Sequence, residues 1–264
     1  MKKFEKISFR GIDYADVSPE EALDLCMSVI SGENENGKEN EKGRGAAVVC
    51  TPNAEIAYEA ANDPEMRKTV SECDIVVADG AGVVLAAKLA GKPIRKGKVA
   101  GIELCEGIVA RCAQSGHPIF IYGGKPTLPD GTEKPVAQAA CEALEKKYPG
   151  LKVAGWSDGY RKDTENLISE INSSGAEFLA VCLGSPKQEQ WMTAHRIELT
   201  TVRLMGGFGG SADIYAGISK RAPKIFIKLR MEWLYRLIKE PKRLGRMMRL
   251  PKFVFGSIFA KNNS

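Results

Sequence analysis

Seven short apolar runs rich in β-branched residues punctuate the chain, and segments of helix length separate most of them. That alternation dictates a parallel sheet. Parallel neighbours need a crossover connection, which a helix supplies, and strands buried on both faces read as continuous apolar runs. Strands are expected at 7–12, 46–51, 74–78, 118–122, 151–155, 178–183 and 202–205. The first helix carries its own start signal: Ser18-Pro19-Glu20-Glu21 puts a hydroxyl at the N-cap, proline at the first helical position and glutamate at the third. A helix is predicted over 19–31. Residues 32–45 contain no apolar side chain and read as a surface loop within the domain, and 127–135 is a second turn-rich excursion.

The fold class is therefore α/β, a Rossmann-like, mostly parallel sheet covered by helices. In such a sheet ligands sit outside the carboxyl ends of the strands, so the residues just after each run matter most. They are Thr51-Pro-Asn53, Asp79-Gly-Ala-Gly82, Gly123-Gly-Lys125, Asp158-Gly-Tyr160, Gly184-Ser-Pro-Lys-Gln188 and Gly206-Gly-Phe-Gly-Gly-Ser211. Glycines let backbone amides approach oxygens, and helix N-termini supply partial positive charge, which suits a phosphorylated, hydroxyl-rich ligand. No segment is a Walker A loop, and none completes G-x-G-x-x-G after a strand, which weakens NTPase, dinucleotide and reductase readings.

Asp79 ends an apolar run beside Gly80 and Gly82, where a carboxylate can act as a general base; the alternative is an N-cap aspartate. Thr51 and Asn53 can bond to the same ligand, although Asn53 equally suits the N-cap of the next helix. Gly123 and Gly124 with Lys125 can cradle a diphosphate or be a purely structural turn. Lys187, Gln188 and Gln190 fall in the first turns of a helix, where a cation opposes the helix dipole unless an anion shares the site. His117 and His195 have no partner motif and read as surface or strand-edge residues. The seven cysteines lie mostly in apolar runs without a C-x-x-C pair, pointing to buried thiols in a reducing cytoplasm and away from a zinc site or disulfide framework.

Charge divides the chain. Residues 218–264 carry 13 basic and 2 acidic residues, net +11, against 25 and 31, net −6, for residues 1–217, which hides inside a total of +5. A catalytic body at 1–217 and a basic appendage at 218–264 follow. On a helical wheel over 223–240, Lys224, Lys228, Glu232, Arg236 and Lys239 form one stripe, joined by Arg221, opposite an arc of Phe226, Leu229, Trp233, Leu234, Leu237 and Ile238. Arg230 falls within the apolar arc and is a candidate to reach an anionic group at the active site. Such a basic amphipathic segment, with Trp233, Phe253 and Phe255, suits an anionic membrane surface, although the arc equally suits docking on the body or on a second subunit of a homo-oligomer. There is no run of about 18 apolar residues that would span a bilayer. A nucleotide-responsive nucleic-acid-binding protein is the alternative for the cationic tail, but phosphate binding needs no long apolar arc.

These landmarks, in this order, resemble the WecG/TagA/CpsF glycosyltransferases, glycosyltransferase family 26. The resemblance rests on Thr51-Pro-Asn-Ala-Glu55, Asp79-Gly-Ala-Gly82, Val99-Ala-Gly-Ile-Glu-Leu104, Ile121-Tyr-Gly-Gly-Lys-Pro126, Gly184-Ser-Pro-Lys-Gln-Glu189, Gly207-Phe-Gly-Gly-Ser-Ala-Asp213, and Lys220-Arg-Ala-Pro223 with Glu232-Trp-Leu-Tyr-Arg236. It implies an inverting transferase that moves N-acetylmannosamine, or a related hexose, from a UDP-sugar to undecaprenyl-diphosphate-linked N-acetylglucosamine, in teichoic acid or surface glycan synthesis. Asp79 is then the base, Thr51 and Asn53 hold the donor sugar, and Gln188 lies near the reacting centre. Gly80, Gly82, Lys98, Gly123, Gly124, Lys125, Gly184, Lys187, Asp213, Arg221, Arg230 and Arg236 bind substrate. Lys98 stands where relatives usually carry arginine, a point charge in place of a bidentate fork. The resemblance also implies chemistry without a metal or cofactor, consistent with the absence of D-x-D, and a location on the cytoplasmic face of the membrane through the C-terminal appendage, with no nucleic acid partner.

Overall fold

The computed structural model describes residues 4–32 and 45–223, together with 225, 226, 234, 235, 238, 251, 253 and 254. It opens with an antiparallel hairpin, β1 (Lys6–Phe9) and β2 (Ile12–Ala15), rather than the single strand expected at 7–12. Arg10 and Gly11 both take positive φ, 55° and 76°, the paired left-handed geometry whose twist suits a two-residue hairpin turn. Asparagine or aspartate before glycine is the usual signal for that turn, so Arg-Gly did not stand out in the sequence.

Helix α1 (Pro19–Ile30) begins as expected: the Ser18 hydroxyl accepts from Glu21 N, and the Glu21 carboxylate accepts from Ser18 N. The remaining elements are β3 (Ala47–Cys50), α2 (Ala54–Asn62), α3 (Pro64–Ser71), β4 (Ile75–Val76), α4 (Ala81–Leu89), α5 (Gly101–Ser115), β5 (Ile119–Gly123), α6 (Val136–Lys147), β6 (Val153–Ser157), α7 (Thr164–Ser174), β7 (Phe178–Cys182), α8 (Lys187–His195), β8 (Leu204–Gly207) and α9 (Ser211–Tyr215). Strands β3 to β8 form an all-parallel sheet in the order β4-β3-β8-β7-β5-β6. From the edge strand β4 the chain crosses to β5 and β6, then fills the centre with β7 and β8. The carboxyl ends of β3, β8 and β7 therefore lie side by side.

Apart from the half-exposed edge strand β6, the sheet strands are buried on both faces, and their residues alternate between two cores. Phe120, Tyr122, Leu179, Val181 and Met205 face a core built with α2, α3, α4, α7 and α8. Ile119, Ile121, Phe178, Ala180 and Leu204 face one built with α1, α5, α6 and α9. This period-two alternation within continuously apolar runs is what a sheet covered on both sides requires. All seven cysteines are buried thiols, and burial pushes Cys26 and Cys182 up to about 12, so they behave as small apolar residues.

Phe253 is fully buried in the first core, with its ring 5.7 Å from that of Phe9 in the hairpin. That corrects the sequence reading, which set Phe253 among residues facing a membrane. The ring instead fastens the far end of the chain to the N-terminal hairpin. Most of the amphipathic segment expected over 223–240, including Trp233, and the loop at 33–44 lie outside the described residues.

Candidate active site

The carboxyl ends of β3, β4 and β8 are stitched together by short bonds. Thr51, immediately after β3 and buried, donates its hydroxyl to Gly207 O of β8 at 3.3 Å. Asp79 N donates to Pro52 O at 3.0 Å, and Val99 N to Ala78 O at 2.9 Å. These bonds carry the chain from β4 back against β3 and deliver the start of α5 to the same place. A Cβ on Gly101 would lie 2.7 Å from Thr51 Oγ1 and 3.4 Å from Asp79 Oδ2, so the first turn of α5 rests directly on both side chains. Any larger residue there would collide with Thr51. Helix α5 has no side-chain cap, which leaves its first-turn amides and the positive end of its dipole beside Thr51 and Asp79.

The alternative readings of Asp79 and Asn53 separate in the structure. Gly80, not Asp79, is the N-cap of α4, with φ 86° and no side-chain cap bond, and Gly82 lies in the first turn of that helix. Asp79, one residue ahead of that cap, is half-buried at the end of the β4 run. Asn53 does cap a helix: its Oδ1 accepts from Glu55 N at 2.9 Å and Ile56 N at 3.1 Å. The Asn53 side-chain oxygen is therefore committed to the start of α2.

Gln188 is buried, and its side chain joins two loops. Its Oε1 accepts from Gly184 N at 3.2 Å, after β7, and from Gly209 N at 2.9 Å, after β8. Its Nε2 donates to Glu189 Oε1 at 2.8 Å. The amide packs beneath Gly207, where a Cβ would come within 2.8 Å of Nε2. The residue expected near the reacting centre thus holds the walls of the site. Glu189, the last residue of the Gly184–Glu189 motif, shows no functional signal in the sequence, yet it is fully buried, and burial pushes its carboxyl above the usual carboxylate range against the opposing hydrogen bond from Gln188. A glutamate one position after a helix-start glutamine carries no period or spacing that announces burial.

Gly123 and Gly124 have packing reasons to be glycine. At Gly123, φ 141°, a Cβ would lie 2.3 Å from Cys182 O; at Gly124, φ 76°, it would lie 2.7 Å from Val136 Cβ. Gly159 N donates to Gly124 O at 2.9 Å, closing the β6 loop over this turn, and Lys125 is exposed beyond it. Gly184 has φ 77° and nothing near its would-be Cβ. Lys187, exposed, is the first residue of α8, and Lys98 is partly exposed two residues ahead of the α5 N-cap Ala100. Asp213 sits in the first turn of α9, and its carbonyl accepts from Ile218 N and Ser219 N.

Arg221 pairs with Glu103 in the first turn of α5, so its charge is matched within the protein and ties the start of the basic segment to the helix beside Thr51 and Asp79. Arg230 and Arg236 lie outside the described residues. His117 pairs with Glu177, and His195 bonds to Glu198 at 2.7 Å and packs on Trp191, so both serve local structure. Among the described residues no helix is long and apolar enough to cross a membrane.

A carboxylate held at a strand end among glycine loops and an uncapped helix N-terminus, on a doubly covered parallel sheet, is a setting for group transfer from a phosphorylated donor. The class is that of a glycosyltransferase: residues 7–264 match the model of the glycosyl transferase WecG/TagA/CpsF family, and the chain belongs to it. A particular relative is the N-acetylglucosaminyldiphosphoundecaprenol N-acetyl-beta-D-mannosaminyltransferase of Bacillus spizizenii, 36% identical over 214 residues, which is 81% of this chain and 79% of that protein. These matches bear out the transferase reading of the sequence, and nothing in them favours the nucleic-acid alternative.

Proposed function

We propose that the protein transfers N-acetylmannosamine, or a closely related hexose, from a UDP-sugar to undecaprenyl-diphosphate-linked N-acetylglucosamine, with inversion at the anomeric carbon, in teichoic acid or related surface glycan synthesis. The observation that carries the reading is the convergence of Thr51, Asp79 and the α5 N-terminus at Gly101, in a chain 36% identical to a transferase of that name. The Asp79 carboxylate takes the proton from the acceptor hydroxyl as its oxygen forms a bond to C1 of the donor sugar. The bond from C1 to the diphosphate breaks on the opposite face, and the electron pair leaves with UDP. The departing charge is met by the uncapped amides of α5 and by Lys98, with Lys125 and Lys187 as further cations at the same edge. Thr51 and the Asn53 amide orient the sugar. The chemistry needs no metal in this scheme.

The +11 segment from 218 onward holds the enzyme on the anionic inner leaflet that carries the acceptor, each cation contributing about 1 kcal/mol when close to the surface. The direct test offers a set of UDP-hexoses with a soluble lipid-diphosphate N-acetylglucosamine analogue and follows UDP release. Release with UDP-N-acetylmannosamine that depends on the acceptor supports the proposal. Release unaffected by omitting the acceptor, or none with any donor, contradicts it.

A further inference from the structure

We infer that Glu189 is a positioning residue for the transfer reaction: as the buried acceptor for Gln188 Nε2, it fixes the amide whose oxygen clamps the Gly184 and Gly209 loops. The inference rests on the function proposed above and adds a residue that does not itself touch substrate.

The two backbone groups that Gln188 joins fix the orientation of its amide. Gly184 N and Gly209 N can only donate, so Gln188 must turn its oxygen towards both, at 3.2 and 2.9 Å. Its NH2 then has to point the other way, into a region where Gln188 is only 4% exposed. A buried amide NH2 without an acceptor is strongly disfavoured, and the side chain would rotate away from the loops to find one. Glu189 Oε1 supplies that acceptor at 2.8 Å, and the Cys50 thiol, at the end of β3, approaches the same oxygen at 4.0 Å. Glu189 thus stands at the meeting of β3, β7 and β8, directly under the edge where Thr51 bonds to Gly207.

Burial supports this role and excludes a direct one. Glu189 is 0% exposed, so it cannot meet a sugar or diphosphate. Desolvation lifts its carboxyl out of the usual range, which is the cost of placing an ionisable group where a glutamine or apolar residue would be cheaper to bury. Either protonation state keeps an oxygen acceptor facing Gln188. The acceptor, rather than the charge, is the property the site uses.

Four variants test this in the full-length chain, read by UDP-sugar turnover and by the amide resonances of Gly184 and Gly209. Glu189→Leu keeps the volume and removes the acceptor; kcat/KM for the donor should fall about 10- to 100-fold as the loops shift, and both glycine resonances should move. Glu189→Gln can still accept at the same position; it should keep kcat within about three-fold of the parent and leave both resonances in place. A double variant with Gln188→Leu should lose no more than Gln188→Leu alone, because the effect passes through that amide. Should leucine at 189 prevent folding, Glu189→Gln decides alone: a loss of ten-fold or more would show that ionisation, not the acceptor, matters and would overturn the inference. Full activity in a folded Glu189→Leu protein would overturn it as well. The resonance readout needs no turnover, so it separates failure of this inference from failure of the proposed reaction.

Discussion

Two stretches of the sheet's carboxyl edge look alike in sequence and do different work. After β5, Gly123 and Gly124 are glycine because the Cys182 carbonyl and Val136 leave no room for a side chain. After β4, β7 and β8, Gly80, Gly184 and Gly209 have positive φ of 86°, 77° and 50° with nothing within 4 Å of a would-be Cβ. The first pair closes the structure, whereas the second group shapes backbone beside open space. Polar side chains gather at the second region, where Thr51, Asp79 and Gln188 meet the α5 and α8 N-termini. Glycine after a strand is therefore a weak marker of a ligand until its surroundings are known.

The contrast can be broken by substitution. Gly123→Ala should be the most damaging to the fold, because its Cβ would meet a backbone oxygen at 2.3 Å in a conformation that L-residues avoid. A loss of about 3–5 kcal/mol in denaturant unfolding is expected. Gly184→Ala meets open space and bears only the conformational cost of φ 77°, about 1–2 kcal/mol, while turnover falls more than stability does. Equal losses at the two positions would erase the distinction.

The smallest effect is a pH dependence. The raised pKa of Glu189 means that the folded state holds its proton where the unfolded chain has released it. Stability from this group is therefore fully present below the ordinary glutamate pKa and is lost as pH rises from there through the raised folded value. Glu189→Gln should flatten that part of the stability profile, as unfolding midpoints measured across mildly acidic to neutral pH would show.

Much of the fold was legible because continuous apolar runs followed by helices admit few arrangements. The capping box at Ser18 and the strands at β3, β5 and β7 appear close to where the sequence set them. The run expected at 151–155 became β6 at Val153–Ser157, since Leu151 is buried ahead of the ladder and its apolarity reports packing, not pairing. Thr51, Asp79 and Gln188 were identifiable by their place after strands. What they bond to was not: Gly207 and Gly101 reach Thr51 only once the chain has folded, and the bond from Gln188 to the adjacent Glu189 depends on both side chains being buried. Phe253 was misread for a related reason: a tail aromatic has no periodic partner in the chain, and its contact, Phe9, lies at the opposite terminus.

The central claim is that Asp79 acts as the base for transfer at an otherwise intact donor site. Asp79→Asn tests it most directly, with UDP binding followed by calorimetry and transfer to the lipid-diphosphate analogue followed in parallel. The account predicts UDP affinity close to the parent and a turnover loss of about 10²- to 10⁴-fold. Turnover retained to within a few-fold, with UDP bound normally, would contradict it.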